Sequence, residues 1–189
     1  MQDGANTLRS LTLFVSSHFM FNILGKLQSE ILSNEKREAI STLTLYSRLV
    51  RQACNFGSKE LIPLREEGLF LENYLKLEKE RFREKSFEYS ISGFDTNKVY
   101  IQPFILQPLV ELALLGSLGV KNNHLNIEFN KTLNTIRIES VMLNTEIHEK
   151  LKEKCEVAIR RLEFFEHHYT LLEVKQGYNQ EIKLNDNTK

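Results

Sequence analysis

Apolar residues recur every three or four positions over the first third of the chain, which is the spacing of amphipathic helices. The first predicted helix carries its apolar stripe at Met20, Leu24, Leu27 and Ile31 and stops at Ser33-Asn34. A second follows at once and ends before residues 55–58, with a stripe at Ala39, Leu43, Tyr46, Val50 and Ala53. Two helices with so short a connection should pack antiparallel as a hairpin. A lone hairpin leaves apolar surface in water, so we expect a homodimer that completes a four-helix bundle.

Beyond residue 60, helical and alternating patterns succeed one another. A third helix should start after Pro63 and run to about residue 83, and the period of two over residues 86–93 predicts a strand closed by Gly93. The remaining predictions are helices over residues 103–118 and 145–165, and strand hairpins of 125–129 with 136–138 and of 171–175 with 181–184. These elements predict an α+β fold: a helical hairpin in residues 1–60, then an α/β domain in 61–189 with helices on one face of a mixed sheet.

Composition narrows the possible partners. The 25 basic and 25 acidic residues cancel, so no excess positive charge indicates a nucleic-acid partner. The longest apolar run, residues 109–118, is far shorter than the roughly 20 residues that cross a bilayer, and the first six residues lack the features of a signal peptide. We therefore expect a cytoplasmic chain without a membrane span. Cys54 and Cys155 have no metal-ligand spacing and are predicted to be buried thiols.

One histidine of the first helix is a candidate nucleophile. His18 lies about 180° to 240° around the helix from the predicted stripe and should point outward. The positions stacked on its own side are Asn22, Gly25 and Ser29, which are small or polar and would let another protein approach the ring. A neutral imidazole so placed can attack an aspartyl phosphate or the terminal phosphate of a nucleotide. The plainer interpretation, from this helix alone, is a histidine packed between helices.

Several segments that share one order along the chain strengthen the first interpretation. They are Ser17-His18-Phe19-Met20-Phe21-Asn22, Leu45-Tyr46-Ser47-Arg48-Leu49-Val50-Arg51, Leu64-Arg65-Glu66-Glu67, Asn73-Tyr74-Leu75, Glu78, Arg81-Phe82 and Gln107-Pro108-Leu109-Val110-Glu111. Together they resemble the LytS-type sensor histidine kinases. The resemblance implies that His18 is the phosphoacceptor, that residues 61–189 form a reduced version of the ATPase-like domain of these kinases, and that the partner is a response-regulator receiver domain or a related kinase. Arg48 and Arg51 are then candidates to meet an acidic receiver pocket, although solvated arginines are the simpler interpretation.

The chain departs from the family where ATP should bind. After Leu109-Val110-Glu111 the family has an asparagine that helps to hold magnesium, and this chain has Leu112, which offers no oxygen ligand. Glu111 is then expected to be a capping or solvated acid. The aspartate-glycine motif that contacts adenine is missing from residues 140–144, and no glycine lies between Val120 and Gln176 to form a phosphate loop. We therefore expect no bound nucleotide, metal or other cofactor.

Two further observations concern the histidines, and the first is another departure from the family. The family has proline before its histidine, and Ser17 in that position predicts a more regular helix. His124, His148, His167 and His168 show no metal-ligand spacing and are expected at the surface.

Three functions remain open. The favoured one is a dimeric histidine phosphotransfer protein that acts through His18 without ATP. The second is an inert pseudokinase that binds kinases or response regulators as a scaffold. The third is an ATP-dependent histidine kinase with an unusual site.

Overall fold

The computed structural model describes residues 17–57, 59–82, 87–117, 124–141, 145–174 and 177–185. Within these ranges there are five helices: α1 (Ser17–Leu32), α2 (Lys36–Phe56), α3 (Leu64–Arg81), α4 (Gln107–Ser117) and α5 (Thr145–Phe164). The strands are β1 (Ile62–Pro63), β2 (Glu88–Ser92), β3 (Tyr100–Ile101), β4 (His124–Asn130), β5 (Thr135–Ser140), β6 (His168–Val174) and β7 (Gly177–Lys183). The predicted α+β class is confirmed. None of the described helices combines the length and the hydropathy needed to cross a membrane.

Helices α1 and α2 form the predicted hairpin. The connection is tight, because Asn34 adopts a positive φ of 61° and the Glu35 amide donates to the Glu30 carbonyl at 2.8 Å. Its inner face contains one buried charge: the Glu30 carboxylate accepts from Lys26 Nζ at 2.6 Å and from Thr42 Oγ1 at 3.3 Å. These bonds fix which turn of α1 lies beside which turn of α2.

The predicted apolar stripe of α1 was wrong by one position. The buried line is Phe19, Ile23 and Leu27, whereas Leu24 and Ile31 are 47% and 66% exposed. Helix α1 carries two apolar stripes, and the one that begins at Phe19 belongs to the core, where the Phe19 ring contacts Tyr74 of α3. The outer stripe is exposed in the part of the chain that the structure describes. Leu43 of the predicted α2 stripe is likewise 52% exposed, although Ala39 and Ala53 are buried.

Helix α3 links the hairpin to the rest of the fold. The Asn73 amide donates to Gln52 Oε1 of α2 at 2.8 Å, and the Phe56 and Phe70 rings lie 5.9 Å apart. Buried side chains of the hairpin and of α3 belong to one cluster with those of α4 and the sheet. The proposed boundary near residue 60 stays a prediction. A short antiparallel pair, with Ile62 opposite Ile101, was not predicted.

Helix α4 begins at Gln107, not at residue 103 as predicted. Phe104 has a positive φ of 61°, which is incompatible with a continuing helix. The turn before α4 is held by a distant acid: Glu67 Oε2 accepts from the Phe104 amide and Glu67 Oε1 from the Leu106 amide, both at 3.1 Å. Local sequence could not reveal this anchor, because it comes from α3.

The large sheet has the order β2-β4-β5-β7-β6. Strand β2 runs parallel to β4, and the other neighbours are antiparallel, so the sheet is mixed as predicted. Both predicted hairpins, β4 with β5 and β6 with β7, are present. Gly93 ends β2 with φ +80°, and a Cβ there would lie 2.1 Å from the Phe129 carbonyl oxygen, so only glycine fits.

The two faces of the sheet differ. One face is apolar and packs under the helices, with Leu125, Ile127, Phe129, Ile136, Ile138 and Ile182 all buried. The other carries a row of cross-strand polar contacts, such as Ser90 Oγ to Asn126 Oδ1 at 2.7 Å and Arg137 Nη2 to Glu181 Oε2 at 3.1 Å. Helices therefore cover one face, as expected.

Two predictions about single residues were wrong. Cys155 is buried, but Cys54 is exposed on α2. His124 and His168 lie at the surface, whereas His167 is only 6% exposed, and its Nδ1 accepts from the Asn185 amide at 3.1 Å. Burial lowers the pKa of His167, and the neighbouring His168 lowers it further. The His148 side chain lies outside the described residues.

Candidate functional site on helix α1

His18 lies in the first turn of α1, and its side chain is outside the described residues. The helix backbone places it on one face with Asn22, Gly25 and Ser29. Asn22 is half-buried, Gly25 and Ser29 are exposed, and a Cβ built on Gly25 would meet nothing within 4 Å. The face that continues from His18 is therefore exposed at Gly25 and Ser29, and its role as a docking surface stays a prediction.

The orientation of this face is set by the buried line of α1. His18 is about 100° from Phe19 and about 180° from Leu27 around the helix. Phe19 is 7% exposed, and its ring centroid lies 5.5 Å from that of Tyr74 on α3. The residue directly after the histidine is thus anchored in the core. Sequence analysis missed Phe19, although the i, i+4, i+8 spacing of Phe19, Ile23 and Leu27 was a usable signal.

The two candidate arginines lie on α2 at a similar height. Glu30 of α1 lies level with Thr42 of α2, because their side chains are hydrogen-bonded. The helices are antiparallel, so twelve residues back along α1 and twelve forward along α2 bring His18 level with about Cys54. Arg51 and Arg48 then lie about 4.5 Å and about 9 Å nearer the turn. Both are exposed, and neither forms an ion pair with another described residue. They are available to an external acid.

The matching segments of α3 have internal partners instead. Glu67 is fully buried, and burial raises its pKa to about 7, although the backbone amides of residues 104–106 and Arg161 act in the opposite direction. Arg161 itself donates to the Pro103 carbonyl at 3.0 Å. Glu67 therefore fixes the turn that directly precedes α4.

A second polar group lies between α3 and α4. Glu78 is fully buried, and its Oε2 accepts from Arg81 Nε at 2.9 Å and from Arg81 Nη2. Its Oε1 has no hydrogen-bond partner among the described residues. Burial raises the pKa of Glu78 to about 7 against the effect of Arg81, and Glu111 raises it further. Nearby, Gln107 Nε2 donates to Glu111 Oε2 at 3.0 Å.

Helix α4 offers little to a metal. Glu111 is half-buried, and its Oε2 accepts from the side chain of Gln107, one turn earlier in α4. Its expected role as a capping or solvated acid stays a prediction. Leu112 is 2% exposed, so the position that the family gives to a magnesium-binding asparagine holds a buried hydrocarbon. Within the described ranges no group of three or more histidine, cysteine or acidic side chains is arranged to bind a metal. Residues 140–144 occupy the place where the family has its adenine-binding motif. Of these, Ser140 is buried at the end of β5, and Met142, Leu143 and Asn144 lie outside the described residues.

Comparisons with known proteins agree with the matching segments. The family model described as histidine kinase matches residues 6–86. Sensor protein LytS of Oceanobacillus iheyensis is 28% identical over 147 residues, which cover 76% of this chain and 25% of that protein. Sensor protein LytS of Bacillus subtilis is 33% identical over 111 residues, which cover 57% of this chain and 18% of that protein.

Among solved structures, the cytoplasmic segment of histidine kinase QseC aligns with a TM-score of 0.47 and 10% identity, over 66% of this chain and 76% of that one. The chain spans a quarter or less of the length of these two sensor proteins. Over the matched residues the chain is therefore similar to the histidine kinase family and to LytS sensor proteins, and the matched range includes α1 with its histidine.

Proposed function

We propose that the chain acts in two-component signalling as a dimeric histidine phosphotransfer protein, in which His18 exchanges a phosphoryl group with the aspartate of a receiver domain. One contrast carries the proposal. The face of α1 that bears His18 continues into exposed, small positions, whereas Leu112 fills the magnesium position with a buried apolar side chain. The acceptor side of the chemistry is retained, and the means of holding ATP is not.

The proposed step needs no nucleotide. A neutral ring nitrogen of His18 attacks the phosphorus of the aspartyl phosphate, and an N–P bond forms as the O–P bond to the aspartate breaks. The aspartate leaves as a carboxylate, and the second ring nitrogen gives its proton to water. The reverse step returns the phosphoryl group. Because the nucleophile and the leaving group lie on different proteins, close docking supplies most of the catalytic effect.

The outer stripes of the hairpin support the dimer. Phe21, Leu24 and Ile31 of α1, and Ile40 and Leu43 of α2, are 47% to 66% exposed and recur with helical spacing. Exposed apolar patches of this kind mark protein interfaces, and a second copy covers them in a four-helix bundle. At about 100° per residue, position 18 lies about 60° around α1 from Phe21, so it would lie beside one edge of the proposed dimer interface.

Arg48 and Arg51 support a receiver partner. They lie near the height of His18, are exposed and carry positive charge without a partner among the described residues. A receiver domain has an acidic pocket around its phosphorylated aspartate. Complementary charge of this kind speeds docking and fixes its register.

Transfer of labelled phosphate tests the proposal. Receiver domains from the host's response regulators are phosphorylated with radiolabelled acetyl phosphate, cleared of the donor and mixed with the chain. We expect acid-labile label on the wild-type chain and on His124→Ala, which removes an exposed histidine of β4, but none on His18→Ala. Absence of label from every receiver, together with stable binding to one, would overturn phosphotransfer in favour of the scaffold. Label acquired from radiolabelled ATP and magnesium would instead establish an autokinase.

A further inference from the structure

Phe19, the residue that follows His18, links the first turn of α1 to the core through a ring contact. Phe19 is 7% exposed, and its ring meets Tyr74 with centroids 5.5 Å apart and planes inclined by 37°. Tyr74 is 1% exposed and lies on the face of α3 that is turned towards α1. Aromatic pairs of this geometry are attractive beyond the area that they bury.

The hydroxyl of Tyr74 lies in a buried region near α4. Burial raises the pKa of this hydroxyl, and the charges of Glu78 and Glu111 raise it further. Gln107 of α4 is 5% exposed, and its Nε2 donates to Glu111 Oε2 at 3.0 Å. The observed contact of Tyr74 with α1 is therefore the one that its ring makes with Phe19.

We infer that Tyr74 is a positioning residue for His18, which holds α1 in one rotational setting through the ring of Phe19. The catalytic consequence rests on the proposed phosphotransfer, whereas the mechanical part does not. In this view, Tyr74 matches the family because it fixes α1 against α3. That role needs neither metal nor nucleotide.

The rotation of α1 about its own axis determines the position of His18. Successive residues on a helix are about 100° apart, so anchoring Phe19 fixes the direction of the His18 Cα–Cβ bond. A rotation of α1 by about 30° would move its Cα atoms by about 1.2 Å on a cylinder of radius about 2.3 Å. A misplacement of about 1 Å can lower the rate of a transfer reaction by about 10²-fold.

Two measurements on the full chain test this inference. The first is hydrogen exchange of the backbone amides of residues 18–24, and the second is kcat and KM for label transfer from the phosphorylated receiver domain. The variants are Tyr74→Leu, Phe19→Leu and their double mutant, with Tyr74→Phe to remove only the hydroxyl. Phe129→Leu is the matched control, because it removes a buried ring that pairs with Phe94 at 6.4 Å in the sheet region.

We expect Tyr74→Leu and Phe19→Leu each to speed exchange in residues 18–24 by about tenfold relative to the control, and Tyr74→Phe to do so by less. The double mutant should add little, because both single changes remove one contact. In the kinetics, kcat should fall by about tenfold or more while KM changes less than twofold.

Equal exchange in Tyr74→Leu and Phe129→Leu would overturn the inference, as would an unchanged kcat in Tyr74→Leu. If the wild-type chain takes no label, phosphotransfer is wrong, but the exchange data still decide whether Tyr74 positions α1.

Discussion

The α3–α4 layer and the helical hairpin contain matching segments of one family, yet they use them differently. In the α3–α4 layer the matching side chains have their contacts inside the chain: Glu67 accepts from backbone amides, Glu78 accepts from Arg81 through one carboxylate oxygen, and Tyr74 packs against Phe19. In the hairpin, Arg48 and Arg51 are exposed and form no ion pair with a described residue. The fold explains the first set of residues. It leaves the second set to a partner.

This difference separates stability from recognition. A buried acid that loses its partners destabilises the protein by several kcal/mol, whereas an exposed charge contributes little to folding. Substitutions in α3 should therefore change the free energy of unfolding, and substitutions on the outer face of the hairpin should change binding. A substitution in α3 that changed only binding, or one on the outer face of the hairpin that changed only stability, would contradict this distinction.

The largest effect is expected at Glu67. Glu67→Ala leaves the amides of Phe104 and Leu106 without an acceptor and Arg161 without its buried counter-charge. We expect the free energy of unfolding to fall by about 3 to 5 kcal/mol in urea denaturation. Glu66→Ala, next in the chain but 40% exposed and paired only with Lys59 at 3.5 Å, should cost less than about 0.5 kcal/mol. Similar losses in the two variants would remove the anchoring role of Glu67.

The next effect concerns pH. Burial raises the pKa of both Glu67 and Glu78 from 4.5 to about 7. A carboxyl group whose pKa is higher in the folded state binds more protons when folded, so its contribution to stability is fully present below pH 4.5 and is lost as pH rises through 7. Each group accounts for about 3 kcal/mol over that range.

Glu78→Gln should therefore reduce the loss of stability between pH 5 and pH 8 by about half, because Glu67 still titrates. Urea denaturation at both pH values measures the slope. Glu72→Gln, which alters an exposed ion pair with Lys76, should leave the slope unchanged. A slope in Glu78→Gln equal to that of the wild type would show that Glu78 is already ionised at pH 5.

Periodicity predicted most of the fold, because helices and strands of this chain have clear apolar faces. It placed α1 to α5 and the two strand hairpins, and it identified the face shared by His18, Gly25 and Ser29 from helix geometry alone. The short β1–β3 pair was not predicted, because strands of two residues are too short to show an alternating pattern. The start of α4 was wrong because its turn is held by Glu67, which lies 37 residues before Phe104.

The contacts around the site needed the tertiary structure. Helix α1 has two apolar stripes, and only the packing of α1 against α2 and α3 decides that Phe19 is covered while Leu24 is not. A single acid such as Glu67 on an amphipathic helix would ordinarily be solvated. Local pattern could not distinguish it from Glu66, the exposed acid beside it.

The outer stripe of the hairpin leads to a prediction on assembly. Leu43→Glu places a charge in the proposed interface between copies, so each dimer would have to accommodate two of them. We expect the dimer to dissociate at least about 100-fold more readily by sedimentation equilibrium, which corresponds to about 2.7 kcal/mol. Leu133→Glu changes a residue of similar exposure, 58%, in the turn between β4 and β5, and should leave assembly unchanged. A monomeric wild-type chain would refute the dimer itself.

The smallest effect is expected at Arg51, and it isolates recognition from stability. Arg51→Ala removes an exposed charge near the height of His18, so the free energy of unfolding should change by less than about 0.5 kcal/mol. Affinity for a receiver domain should fall by about 5- to 30-fold in calorimetric titration, with the loss shrinking at high salt because exposed charges are screened. Arg37→Ala serves as the control, since Arg37 is exposed at the start of α2, near the connection and far from His18. If both variants bound the receiver as the wild type does, the arginines of the hairpin would be solvated charges, and the contrast with α3 would rest on His18 and its face alone.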